Sequence, residues 1–184
     1  MIIAFYKPYN ITSQFTGDNP NETLSIFNLP KNVYACGRLD KDSEGLLILS
    51  DDPQIQHRLT DPKFEKEKTY WVQVEGIPTK EALVEFQKGL IIQDYKTKPC
   101  KARLLEPNEY ENLPARIPAI RERKSIPTSW IEVILTEGKN RQVRRMTAKI
   151  GYPTLRLIRV RAGKYRLVDL KPGEWREINP NEIL

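Results

Sequence analysis

Gly37-Arg38-Leu39-Asp40-Lys41-Asp42-Ser43-Glu44-Gly45-Leu46-Leu47-Ile48-Leu49 runs from a polar, acid-rich loop straight into an apolar run. Gly45 to Leu49 is short, β-prone and bounded by charge, which reads as a buried strand rather than a helix. Before it, Val33 to Cys36 reads as a short extended piece. After it, Asp52-Pro53 reads as a helix N-cap with proline at the first helical position, and Pro62 stops that helix. Asp40 thus stands on a loop between two extended segments, close to the start of a core strand.

Working outward, the same mixture continues. Residues 2–6 read as a first strand, and Thr23 to Phe27 as a short helix. Tyr70 to Glu75 alternates, with Tyr70, Val72 and Val74 on one side. Thr79 caps a helix that carries Leu83 and Phe86 inward and ends at Gly89. Trp130 to Thr136 reads as a strand. Asn140 is expected to open a helix with Val143, Met146 and Ile150 inward, closed by Gly151. Residues 154–161 alternate between apolar residues and arginine, and Lys171-Pro172-Gly173-Glu174 turns into a last short strand. Strands and helices alternate without a βαβ rhythm. The expected class is α+β, with a mixed, mostly antiparallel sheet flanked by helices. The 184 residues fit a single catalytic domain in two lobes, expected to meet near the proline-containing loop 107–127.

Charge is unevenly spread. Between Ala115 and Arg166 stand 14 Lys and Arg against 3 Asp and Glu, a net of +11, so the rest of this +6 chain carries −5. Such asymmetry marks a polyanion binder. Arginine outnumbers lysine in the stretch, and its planar fork suits phosphate. No apolar run approaches the length of a membrane span. Met1 to Tyr6 has neither a basic n-region nor a small-residue cleavage site, so a cytoplasmic protein is expected. No spare apolar face stands out in the sequence, and a monomer is expected. Cys36 and Cys100 have no metal-type spacing.

The inventory of reactive groups is narrow. His57 is the only histidine and reads as a helix-surface residue, which argues against histidine triads and zinc sites. No phosphate-binding glycine loop of the Walker or Rossmann type is present. Catalysis falls to carboxylate, Tyr, Lys or Arg, and neither cofactor nor metal is expected. Asp40, Asp42, Glu44, Gly45 and Asp51 mimic calcium-loop spacing, but the last ligand is not glutamate and no entering helix precedes them. A glycosidase pair of Asp40 with Asp42 or Glu44 is the other alternative. It leaves the basic stretch unexplained.

Gly37-Arg38-Leu39-Asp40 followed by Asp42-Ser43-Glu44-Gly45-Leu46-Leu47 resembles the catalytic motif of the pseudouridine synthases, in the form found in their RsuA branch. Four further segments match that family in order. They are Lys7-Pro8, Lys68-Thr69-Tyr70, the run from Glu137-Gly138 to Arg144-Arg145-Met146, and Leu157-Ile158-Arg159. The segment from Ile120 to Trp130 narrows the likeness to a member that modifies a uridine of large-subunit (23S) ribosomal RNA. The resemblance implies the pseudouridine synthase fold with a central active-site cleft. The S4-type domain that usually precedes the catalytic strand in that branch is not expected here.

The resemblance also implies an isomerase. The N-glycosidic bond of a flipped-out uridine breaks, the uracil turns, and a carbon–carbon bond forms to the same ribose, without cofactor. It makes Asp40 the catalytic carboxylate, Arg144 its salt-bridge partner and Tyr70 the ring that stacks on uracil. Leu157 would pack on the base, Arg38 would support the loop and reach phosphate, and Lys7 and Pro8 would brace the pocket. The basic residues Arg116, Arg121, Arg123 and Lys124 are the expected RNA-docking loop. Arg141, Arg145, Arg156, Arg159 and Arg161 are expected to extend it. The expected partner is large-subunit ribosomal RNA or its assembly particle.

Overall fold

A computed structural model describes residues 1–121 and 123–184. Glu122, within the 120–130 segment quoted above, lies outside the described residues. The order is β1 (Ile2–Lys7), β2 (Tyr34–Ala35), β3 (Glu44–Ser50), α1 (Pro53–Thr60), β4 (Lys68–Glu75), α2 (Lys80–Lys88), β5 (Ile91–Ile92) and β6 (Tyr95–Lys96). Then follow β7 (Lys101–Leu104), α3 (Pro107–Tyr110), β8 (Thr128–Leu135), α4 (Gln142–Lys149), β9 (Thr154–Ala162), β10 (Tyr165–Arg166), β11 (Trp175–Ile178) and α5 (Pro180–Ile183). This is α+β, with a mixed and mostly antiparallel sheet flanked by helices. Among the described residues no helix is long and apolar enough to cross a membrane.

The chain forms two compact units, one of residues 1–66 with 158–184, the other of residues 67–157. The 107–127 segment falls wholly inside the second.

In the first unit the strand order is β11-β1-β3-β9, with β2 beside β3 and β10 beside β9. All these pairs are antiparallel except β3 with β9, where Glu44 faces Ile158 and Gly45 faces Arg159. β1 and β3 are buried on both faces, because one apolar cluster lies on each side. Ile2, Ala4, Leu46 and Ile48 pack with Ile55 of α1, while Ile3, Phe5, Leu47 and Leu49 pack with Leu24 and Leu39. This explains why Leu46 to Leu49 is continuously apolar rather than alternating.

The second unit has the order β9-β4-β8-β7. Here burial alternates along β4 and β8, as expected when one face carries the core. Tyr70, Val72, Val74, Ile131, Val133 and Leu135 form that core with Phe86 of α2 and Val143 and Met146 of α4.

Local signals act as expected at α1, where the Asp52 carboxylate accepts from the Gln54 amide, and at α2, where the Thr79 hydroxyl accepts from the Ala82 amide. Two expectations change. The Thr23–Phe27 helix is instead a pair of 3-10 turns, Pro20–Glu22 and Leu24–Ile26. The Thr23 side chain caps the second turn and its own backbone ends the first. Asn140 does not open α4. The N-cap is Arg141, in the left-handed region at φ 51°. The Asn140 side-chain oxygen Oδ1 accepts from the Arg145 guanidinium at 3.0 Å, and the Gln142 side-chain oxygen accepts from the Lys139 amide at 3.1 Å.

Candidate active site

Asp40 is half-buried in the first unit, on the loop between β2 and β3. Lys7 at the end of β1, with Asn10 and Ser13 of the segment after it, holds that loop by its backbone. Ser13 donates its hydroxyl to the Leu39 carbonyl at 2.7 Å and accepts the Leu39 amide at 3.0 Å. The Asn10 amide donates to the Lys41 carbonyl at 2.8 Å. Lys7, wholly buried, donates its Nζ to the carbonyls of Ile11 at 2.7 Å, Pro8 at 2.9 Å and Lys41 at 3.4 Å. The loop also closes on itself, with the Ser43 amide on the Asp40 carbonyl at 3.0 Å. Pro8 and Arg38 flank this arrangement, Pro8 half-buried and Arg38 exposed.

Burial pushes the Lys7 ammonium down to about 7, against the opposing pull of Glu44, Asp42 and Asp40. A wholly buried lysine is rare, and its three donors suit a site made of backbone carbonyls.

The entry into β3 is equally constrained. Gly45 has φ +104°, and a Cβ there would lie 2.3 Å from the Arg159 carbonyl oxygen. Only glycine permits so close an approach to β9. Arg159 lies on the other side of this contact. It is buried and donates Nε–H to the Leu46 carbonyl at 2.8 Å. It does not extend a basic surface, as the sequence suggested, because its hydrogen bond points it into the sheet. Arg156 is likewise buried, whereas Arg161 is half-buried and donates Nε–H to the Gly163 carbonyl at 2.8 Å.

Tyr70 and Leu157 belong to the second unit and to the same core cluster, together with Val143 and Met146 of α4. Arg144 and Arg145 are half-buried on α4, and Arg141 is exposed at its start. The structure therefore groups Tyr70, Leu157 and the helix carrying Arg144. Arg121, Arg123 and Lys124 are all exposed on the loop before β8.

Glu137 is a residue whose importance the sequence did not reveal. It is buried at the start of the segment leading to α4, and its carboxylate accepts from the Tyr95 hydroxyl, the Lys98 amide at 2.7 Å and the Gln142 side-chain amide at 2.8 Å. Burial opposes its charge, but these three donors outweigh it and hold the carboxyl below its usual range. Lys139 sits 4.6 Å from the centre of the Tyr95 ring. The cluster ties the β5–β6 hairpin to the start of α4. Its one sequence signal was Glu137 in the motif, since Tyr95 is 42 residues away.

Burial pushes the Cys36 thiol up to about 12 and the Cys100 thiol to about 11, so neither is a thiolate at neutral pH. His57 is exposed on α1, 3.3 Å from the Asp61 carboxylate.

Residues 1–149 match the family model described as RNA pseudouridylate synthase. The chain is 51% identical over 178 residues to the ribosomal large subunit pseudouridine synthase E of Xanthomonas campestris pv. campestris, covering 96% of this chain and 94% of that protein. It is 49% identical over 179 residues to the enzyme of the same name from Vibrio vulnificus, covering 97% and 75%. A solved structure described as a pseudouridylate synthase superposes with a TM-score of 0.79 at 26% identity, covering 98% of this chain and 71% of that one. By family match, sequence identity and fold, the chain belongs to the RNA pseudouridylate synthases.

Proposed function

We propose that this enzyme isomerises a specific uridine of large-subunit ribosomal RNA to pseudouridine, with Asp40 as the essential carboxylate and without a cofactor. The substrate class follows from relatives named for the large ribosomal subunit that match nearly the whole chain. The single observation that carries the role of Asp40 is its place on a loop whose backbone is held by Lys7, Asn10 and Ser13. A catalytic carboxylate must be positioned to within a fraction of an ångström of the reacting carbon.

Isomerisation of this kind exchanges a carbon–nitrogen for a carbon–carbon bond within one nucleotide, so no electrons or groups leave the complex. The target base has to leave its stack first, at a cost of a few kcal/mol, which contacts to phosphate and to the base offset. Asp40 serves as nucleophile, as stabiliser of an oxocarbenium-like centre, or as base toward a ribose proton. Tyr70 supplies the ring for the uracil, Leu157 an apolar contact and Arg144 positive charge. Arg38, Arg121, Arg123, Lys124, Arg141 and Arg145 supply phosphate contacts.

The test incubates unmodified large-subunit ribosomal RNA with wild type and with Asp40→Asn, and maps pseudouridine chemically. Product at one uridine with wild type alone is the expected result. Binding without product by either protein would replace this reading with an RNA-binding module. Release of free uracil would replace it with a hydrolase.

A further inference from the structure

The second unit carries a cavity of about 240 Å³ that the reading above does not use. It lies on the sheet face opposite the core. Tyr70, Val72 and Val74 face the core, whereas Gln73 and Glu75, of opposite parity on β4, line the cavity. Trp130, paired across the ladder with Gln73, forms a wall of it. Tyr70 therefore points away from this cavity.

Its chemistry is that of a nucleotide site. Ile120, Ile126 and Leu155 give it apolar lining, and among its described lining residues four arginines, 116, 121, 123 and 156, stand against one carboxylate, Glu75. The Trp130 ring is stacked on Tyr110 at 5.6 Å between centroids, and the Arg156 guanidinium lies 5.8 Å from its centre. These two contacts hold the ring in place as a wall of the cavity. Arg156 donates to the Pro114 carbonyl at 2.6 Å and Arg116 to the Pro118 carbonyl at 2.8 Å, bonds that fix where the two guanidinium planes lie. Unstacked bases pack on guanidinium planes as readily as on aromatic rings, and arginine forks bind the adjoining phosphate. Pockets for drug-sized ligands run from roughly 300 to 1,000 Å³, so this smaller cavity matches a single base.

We propose that this cavity takes one unstacked nucleotide of the RNA substrate, distinct from the target uridine, with its base against Ile126 and Trp130 and its phosphates on Arg121 and Arg123. The inference rests on the reading that the chain acts on RNA, but not on the chemistry of Asp40. It gives the exposed arginines before β8 a defined ligand, where net charge alone would give only attraction.

The probe is an oligoadenylate of six nucleotides, which contains no uridine and so offers nothing to isomerise. The protein is labelled with 5-fluorotryptophan, and its three tryptophans, Trp71, Trp130 and Trp175, are followed by fluorine NMR. Hexa-adenylate should shift the Trp130 resonance saturably and leave Trp175 in place, while inorganic polyphosphate at equal charge should not shift Trp130. Ile126→Phe, which fills the cavity without changing charge, should abolish that shift. It should raise KM for a large-subunit RNA fragment about tenfold and leave kcat within twofold. A Trp130 resonance indifferent to hexa-adenylate, or equally moved by polyphosphate, would overturn the proposal. So would an Ile126→Phe protein of wild-type melting temperature with unchanged KM. If Trp130 responds but wild type forms no pseudouridine, the isomerase reading fails while the nucleotide site stands.

Discussion

The loop carrying Asp40 and the loop between α3 and β8 are both rich in charge, yet they use cations in opposite ways. In the first, Lys7 is turned wholly inward, its three donors on backbone carbonyls and its pKa pushed down to about 7 by burial. In the second, Arg121, Arg123 and Lys124 face solvent, and the Ile126 amide donates to the Arg123 carbonyl at 3.1 Å. Burial decides the work of a basic residue. Inside, it is a strut whose donors position a backbone while burial works against its charge. Outside, it is open to an anion.

That contrast can be broken at several points. The largest effect is expected at Gly45, where Gly45→Ala would set a Cβ 2.3 Å from the Arg159 carbonyl oxygen at a φ of +104°. A loss of about 4 kcal/mol or more is expected, read as an early midpoint in urea, with product formation lost alongside. A midpoint close to wild type would mean that the entry into β3 is not the rigid point described.

Lys7→Met should cost about 2–4 kcal/mol at neutral pH, because carbonyls of Ile11 and Pro8 lose their buried donor. The pH dependence has a definite sign. The folded-state pKa lies below the unfolded value of 10.5, so between about 7 and 10.5 the unfolded chain binds more protons. Stability of wild type should therefore rise through that window relative to Lys7→Met, by up to a few kcal/mol. Parallel melting curves for the two proteins from pH 7 to 10 would show that Lys7 is charged when folded.

Glu137→Gln should destabilise the second unit by about 1–3 kcal/mol, since one charged acceptor serves Tyr95, Lys98 and Gln142. Its carboxyl is held below the ordinary value, so the contribution is present above that value and fades as pH falls through the folded pKa. The gap to wild type should close in acid. A gap that stays constant would leave the charge without a role.

The smallest effect on the fold, and the sharpest on binding, is expected from Arg121→Ala with Arg123→Ala. Stability should stay within about 0.5 kcal/mol, while the slope of log affinity for RNA against log salt falls by about 1–2. An unchanged slope would remove these arginines from the docking surface.

How much of this was readable beforehand depended on the length of each signal. The long elements were readable because their patterns outlast chance. β4, β8 and α2 show alternation or helical spacing over eight or nine residues, and their caps and stops agree with it. β5, β6 and the exposed edge strand β7 were not, since two to four residues cannot display a period. The family was readable from five ordered motifs. The surroundings of its residues were not. Lys7 reads as a brace of the pocket, but its burial on backbone carbonyls shows only when β1 and the Lys41 loop are brought together, and Arg159 reads as part of the basic surface until the Leu46 carbonyl appears beside it. The wall of the cavity joins Tyr110, Trp130 and Arg156, residues far apart in sequence and of ordinary composition.

The proposed chemistry rests on Asp40 and the proposed docking on the arginines of the second unit. The most direct test measures both on one variant. Asp40→Asn, with its melting temperature checked against wild type, is titrated with unmodified large-subunit RNA and assayed in single turnover for pseudouridine. Affinity within about twofold of wild type and product formation at least a thousandfold slower are the predicted results. Product formation above a tenth of the wild-type rate in a folded, RNA-binding Asp40→Asn protein would contradict the account.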